Sequence, residues 1–276
     1  MKKLGLLFIF VLLLGCGKDA DHYLEEGNAY LRRGDMAGAI GMYEKAVEAD
    51  PSNYMAHNSL GAALSSIGDF ERAIGHFRTA VAVNDSFLEG HYNLGRGLAE
   101  IGSYDFALTE LREAIRLDST YALAYLTAGD IYSARKMADE AADAYRRTLR
   151  FDPNLMIAYL RLASVYVGAG EHDRALEVLK EARLRRPEDA EIISMAGRVA
   201  IMKRDFGQAV MFLNQAVGLD STQFAYRNDL ATALMLGGRK DEAVEQWRRI
   251  LAGNPDPELA RAVRMNLSRA ETDTSR

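Results

Sequence analysis

Alanine returns every 34 residues along this chain, at positions 39, 73, 107, 141, 175, 209 and 243. Four residues after each comes a large side chain: Tyr43, Phe77, Leu111, Tyr145, Leu179, Leu213 and Trp247. Seven after each comes Ala46, Ala80, Ala114, Thr148, Ala182, Ala216 and Ile250. Twelve before each comes Gly27, Gly61, Gly95, Gly129, Ala163, Gly197 and Ala231. A fixed period of this length marks one supersecondary unit repeated along the chain. No insertion breaks the phase, so the units share one packing problem.

The breakers keep the same period. Gly34, Gly68, Gly102, Gly170 and Gly238 form one more column, read as a helix end within each unit, and Lys136 and Arg204 take that place in two units. Glycine closes a helix in the left-handed conformation at little cost, so the two units without it carry tighter or strained turns. Only five prolines occur, at 51, 153, 187, 255 and 257, and long proline-free stretches favour helix. Pro51, Pro153, Pro187 and Pro255 fall between one unit and the next. Asp85, Ser119 and Ser221 occupy that place elsewhere and read as helix-start residues.

These four columns resemble the tetratricopeptide repeat (TPR) pattern. With Ala20 as the first position, seven repeats run 20–53, 54–87, 88–121, 122–155, 156–189, 190–223 and 224–257. The resemblance implies an all-α fold, a right-handed solenoid of seven helix-turn-helix repeats. Small residues at positions 8, 20 and 27 of each repeat let helices approach closely, and large ones at 4, 7, 11 and 24 fill what remains. No single repeat can bury its apolar face alone, so neighbours must stack. Residues 258–270 suit a capping helix: Leu259, Val263 and Leu267 form one stripe with Ala262 and Ala270 nearby, while Arg261, Arg264 and Arg269 face water. The segment 271–276 is polar and is expected to be disordered.

The N-terminal segment has a different character. Lys2 and Lys3 precede an apolar run from Leu4 to Leu14, interrupted by Gly5. The run is too short for a bilayer core, which needs roughly 20 residues, and has the size of a signal-peptide apolar region. Leu13-Leu14-Gly15-Cys16 then resembles the lipobox of bacterial lipoproteins, with Leu14 bulkier than the usual residue at its place. That resemblance implies a signal peptide over 1–15, lipid on Cys16, and a short linker over 16–19. Several acyl chains anchor stably where one is marginal. The alternative is an ordinary cleaved signal ending near a free cysteine. Gly17 follows Cys16 where Asp tends to retain enterobacterial lipoproteins at the inner membrane, so the resemblance favours the outer membrane, facing the periplasm. As Cys16 is the sole cysteine, an internal disulfide and a multi-thiolate metal site are both excluded.

Chemistry is hard to find. A net charge of −5 argues against nucleic acid as a partner. Phosphate-loop, nucleophile-elbow and zinc-protease motifs are missing, and the Gly95-Arg-Gly97 and Gly168-Ala-Gly170 fragments read as packing and turn glycines. His57 and His91 share position 4 of consecutive repeats. They read as two packed imidazoles sooner than as a metal pair, because packed helices lie about 8–10 Å apart. No cofactor, no metal and no catalytic residue is expected, and the chain reads as a non-enzyme.

The TPR resemblance implies a concave surface lined by the first helix of each repeat, with protein or peptide as partner. The candidate groove residues are Asn28, Asn58, Tyr92, Arg96, Asp130, Arg161, Arg198 and Asn228. Leu24 stands where a carboxylate-clamp TPR would place lysine, and no three consecutive repeats carry that clamp. Aliphatic residues with scattered amides and charges suit an extended segment or a helix of a partner. Tyr92 is the only aromatic side chain among the carried-over groove positions, and Arg96 lies one turn further on. Arg96 could instead pair with Glu100 or Asp130. The expected function is a lipid-anchored adaptor or assembly factor of the envelope, such as the TPR lipoproteins that serve pilus secretins or peptidoglycan enzymes. The alternatives are a fixed subunit of an envelope machine and, less favoured, an enzyme.

Overall fold

The computed structural model describes residues 20–272. The signal peptide, Cys16 and its linker lie outside the described residues. So do residues 273–276 of the expected disordered tail, while Glu271 and Thr272 close the last helix. Every regular element among the described residues is a helix, and none is long and apolar enough to cross a membrane.

The chain divides into two compact units, one up to Ile131 and one from Tyr132 onward. The first unit holds α1 (20–32), α2 (Met36–Ala49), α3 (Tyr54–Ser66), α4 (Phe70–Val83), α5 (Leu88–Glu100) and α6 (Tyr104–Leu117). The boundary falls within α7 (Ala122–Ala134). The second unit continues with α8 (Ala138–Phe151), α9 (Met156–Gly168), α10 (His172–Arg185), α11 (Ala190–Met202), α12 (Phe206–Leu219), α13 (Phe224–Leu236), α14 (Lys240–Ala252) and α15 (Pro257–Thr272). Within each unit, successive helices pack on one another, as nearest-neighbour stacking requires.

The columns behave as their chemistry demands. All seven alanines at position 20 of the repeats are fully buried, and so are the seven residues at position 27. Phe77 shows why position 8 is small: a Cβ added at Gly61 would meet the Phe77 ring at 2.7 Å and the Ala73 carbonyl oxygen at 3.1 Å. The same crossing recurs at Gly95, where a Cβ would meet Leu111 Cγ at 2.9 Å.

The turns inside the repeats are left-handed throughout. The five glycines there have φ between 75° and 84°, and Lys136 and Arg204 are forced to 60° and 61°. A side chain at such φ costs about 1–2 kcal/mol, partly offset by the greater freedom glycine has when unfolded. Lys136→Gly and Arg204→Gly are therefore each expected to stabilise the protein by about 0.5–1 kcal/mol. Urea midpoints check this; a lower midpoint in both variants would mean that these turns are not strained.

The turns between repeats differ from expectation. Asp85, Ser119 and Ser221 are not helix-start residues but stand two places before α5, α7 and α13 start to be capped. Phe87 and Gln223 occupy two of those N-cap positions and cap with no side-chain hydrogen bond. Order comes instead from an Asp or Asn three places earlier. Asp50, Asn84, Asp118, Asp152 and Asp220 each accept the backbone N–H of the residue two further on, at 2.8–3.1 Å. Such Asx turns mimic a backbone turn and tie off the second helix. The signal was in the sequence as a further 34-residue column, broken at Arg186.

The capping helix forms, starting at Pro257 with fixed φ suited to a first turn. Val263 and Ala270 are fully buried in a cluster with Trp247 and Ile250, and Leu259 and Leu267 pack against it. Ala262 is exposed, and Ala260 takes the buried place expected for it.

Candidate partner-binding groove

The first helix of each hairpin carries the candidate residues, and the structure sorts them into two groups. In the first unit, Tyr92 and Arg96 lie on one face of α5. The Tyr92 ring stands edge-on to Tyr121, with centroids 5.3 Å apart and planes at 76°. The Arg96 guanidinium lies 6.0 Å from the Tyr92 centroid. The contact Arg96 makes is thus with the aromatic ring and not with Glu100 or Asp130. Burial raises the Tyr121 hydroxyl above the usual tyrosine pKa, with Tyr92 and Glu89 adding to the rise and Arg96 opposing it. The site is an aromatic corner with a cation over it. Met55 and Leu123, at the position that Glu89 occupies in α5, are 51% and 38% exposed, so aliphatic surface lies in the neighbouring repeats.

Other candidates have jobs within the fold. Asn28 accepts a hydrogen bond from the Tyr43 hydroxyl at 2.7 Å, and Asn228 accepts one from the Trp247 indole N–H at 3.2 Å. Each amide therefore fixes the polar tip of a buried aromatic at position 24, which would otherwise leave a donor without a partner. Asn58 accepts from the Asn93 amide at 2.9 Å, holding α3 to α5. Arg198 stands 3.9 Å from Asp229, whose carboxyl is raised in pKa by burial and lowered by that arginine. Asp130 and Arg161 are exposed. Ser194, carried over as a groove position in α11, is 1% exposed and belongs to the interior.

Tyr121 is the residue that sequence reasoning missed. It closes its repeat at position 34, outside the groove columns, and only the fold brings it against position 5 of the same repeat.

The position-4 side chains also find a common role. His57 Nε2, His91 Nε2, and the Tyr125 and Tyr159 hydroxyls reach the carbonyls of Pro51, Asp85, Ser119 and Pro153, at 3.0–3.3 Å. Each donates to the turn that precedes its own helix, six residues back. The two imidazoles are packed, as expected. His91 Nδ1 also lies 2.7 Å from Glu110 Oε2.

His57 Nδ1 lies 3.1 Å from His76 Nδ1. A carbonyl only accepts, so His57 carries its proton on Nε2, and its Nδ1 accepts from His76. Protonating both rings would set two donors against each other. Burial, then His57, then Arg72 lower the His76 pKa from 6.5, against a smaller opposing pull from Glu44. A depressed folded pKa means stability that is present above the unfolded value and lost as pH falls through the folded one. The urea midpoint is expected to fall between about pH 7.5 and about pH 5.5, on either side of the ordinary histidine value. His76→Gln should reduce that fall; an equal fall in the variant would assign it to other groups.

The comparisons with known proteins concern the repeat fold. One tetratricopeptide repeat family model matches residues 24–87 and 160–224, and another matches 115–183. No curated protein matches the chain. Among solved structures, the MamA protein is 30% identical with a TM-score of 0.57, over 63% of this chain and 96% of that one. PilW, a widely conserved type IV pilus biogenesis factor, is 21% identical with a TM-score of 0.66, over 78% of this chain and 98% of that one. YrrB, a TPR protein with an unusual peptide-binding site, is 22% identical with a TM-score of 0.55, over 68% and 97%. The last two likenesses speak to fold alone.

Proposed function

Because the chain belongs to the tetratricopeptide repeat family, we propose that it is a non-catalytic scaffold that captures a protein or peptide partner on its first-helix face, anchored at the bacterial envelope, facing the periplasm, by lipid on Cys16. The observation that carries the binding half is the corner of Tyr92, Tyr121 and Arg96. Tyrosine and arginine are enriched among the few residues that dominate interface energies. Here a ring is held edge-on by its neighbour, so little freedom is left to lose on binding. The anchoring half rests on the apolar run that ends at the sole cysteine.

One experiment in the native bacterium tests both. Cells carrying the full-length protein are crosslinked, fractionated, and the captured partner is identified. Tyr92→Ala with Arg96→Ala is expected to weaken capture by about 2 kcal/mol or more, with helical content unchanged. Cys16→Ser is expected to move the protein out of the membrane fraction without altering its fold. Undiminished capture by the double variant would sink the groove reading. A Cys16→Ser protein still sedimenting with membranes would sink the lipid anchor. Survival of the complex at fixed stoichiometry after detergent extraction would favour a permanent machine subunit over transient capture.

A further inference from the structure

In the second unit, α10 and α12 both pack against α11, and between them the surface opens into a cavity of about 800 Å³. That volume is in the range of ligand sites, which run from about 300 to about 1,000 Å³. Its floor is Ala196 of α11, 2% exposed, a small residue that leaves the space unfilled. The cavity draws mainly on second helices and their turns, so it is distinct from the first-helix groove.

The cations that line it are not equivalent. Arg174 is tied to Glu171 at 2.6 Å, Lys180 lies 3.5 Å from Glu177, and Lys203 is paired with Asp173. Arg183 has no such partner among the described residues, and its Nε–H is buried without an acceptor. The guanidinium is held 4.6 Å from the centroid of the Phe212 ring, itself 7% exposed. A buried donor with no acceptor is unfavourable, and native proteins tolerate few of them. With Nε closed off, it is the terminal N–H groups of this ring-held guanidinium that can meet a carboxylate in the cavity Arg183 lines.

The rim supplies the second half of the recognition. Leu184 is 79% exposed and Met211 is 58% exposed. Leu184 follows Lys180 by four residues, and Met211 follows Gln208 by three. Lys180 and Gln208 both line the cavity, so these apolar side chains continue the same rows by one helical turn.

We propose that this cavity is a second docking site, for a partner segment that carries a carboxylate between aliphatic side chains. The carboxylate accepts from Arg183, and the aliphatic groups cover Leu184 and Met211. The proposal stands whether or not the first-helix face binds a partner.

The test titrates the full chain with a fluorescent, C-terminally amidated peptide Leu-Leu-Glu-Leu-Leu and with its Gln counterpart, followed by anisotropy. The acidic peptide should bind about tenfold tighter or more, the size of one charge-assisted hydrogen bond. Arg183→Met keeps an apolar stem over Phe212 and should abolish that preference. Leu184→Glu, at a site too exposed to disturb folding, should weaken the acidic peptide by like-charge repulsion. Tyr92→Ala with Arg96→Ala should leave the preference intact. Equal binding of the two peptides, no binding of either, or a preference that survives Arg183→Met would overturn the proposal. Tighter binding of a phosphoserine version than of the Glu peptide would also overturn the carboxylate assignment.

Discussion

Phe77→Ala is expected to lower the unfolding free energy by about 3–5 kcal/mol, the usual cost of removing a buried phenylalanine ring. The upper part of that range is favoured by what surrounds the ring. Phe77 is fully buried on α4, with Gly61 of α3 on one side and Gly97 of α5 on the other. A Cβ built on Gly61 would meet the ring at 2.7 Å, and one built on Gly97 at 3.7 Å. Glycine has no side chain that could swing into the space left behind. The cavity can close only if helices move, and at Gly61 the Ala73 carbonyl oxygen stands 3.1 Å from where a Cβ would sit. Urea denaturation followed by circular dichroism measures the loss. Because each repeat rests only on its neighbours, the variant should also unfold over a broader range as the hairpins on either side of α4 uncouple. A loss below about 1 kcal/mol would mean that the first unit collapses around the gap.

Overpacking at the alanine column should also be costly. Ala141→Leu and Ala175→Leu are each expected to destabilise by about 1–3 kcal/mol. Both residues are fully buried, on α8 and α10 of the second unit. Three added carbons must push a neighbouring helix away or adopt a strained rotamer. Ala138→Leu, on the exposed start of α8, supplies the contrast and should change stability by less than about 0.5 kcal/mol. Denaturant midpoints report all three. If the two buried substitutions behave like the exposed one, the repeats pack in a different register.

The helices, their order and the contacts within each column were legible in the residues before any coordinates. Alanine at 39 and its six successors, the partner at +4 and the small residue at −12 predict a buried crossing in every repeat, and each is buried. Left-handed φ at Lys136 and Arg204 was equally legible, because glycine fills that place in the other five repeats. The reason is physical: each repeat meets the same neighbours in the same way, so each contact is written seven times and appears as a column. Contacts between columns were not legible there. Tyr92 leans on Tyr121, Asn28 and Asn228 are taken up by Tyr43 and Trp247, and Arg183 is left stacked on Phe212 without an acceptor. The division between Ile131 and Tyr132 is of the same kind, since the 34-residue phase runs through it unbroken. These outcomes depend on which rotamer a particular side chain adopts and what its one neighbour offers it, and a contact made once leaves no period to read.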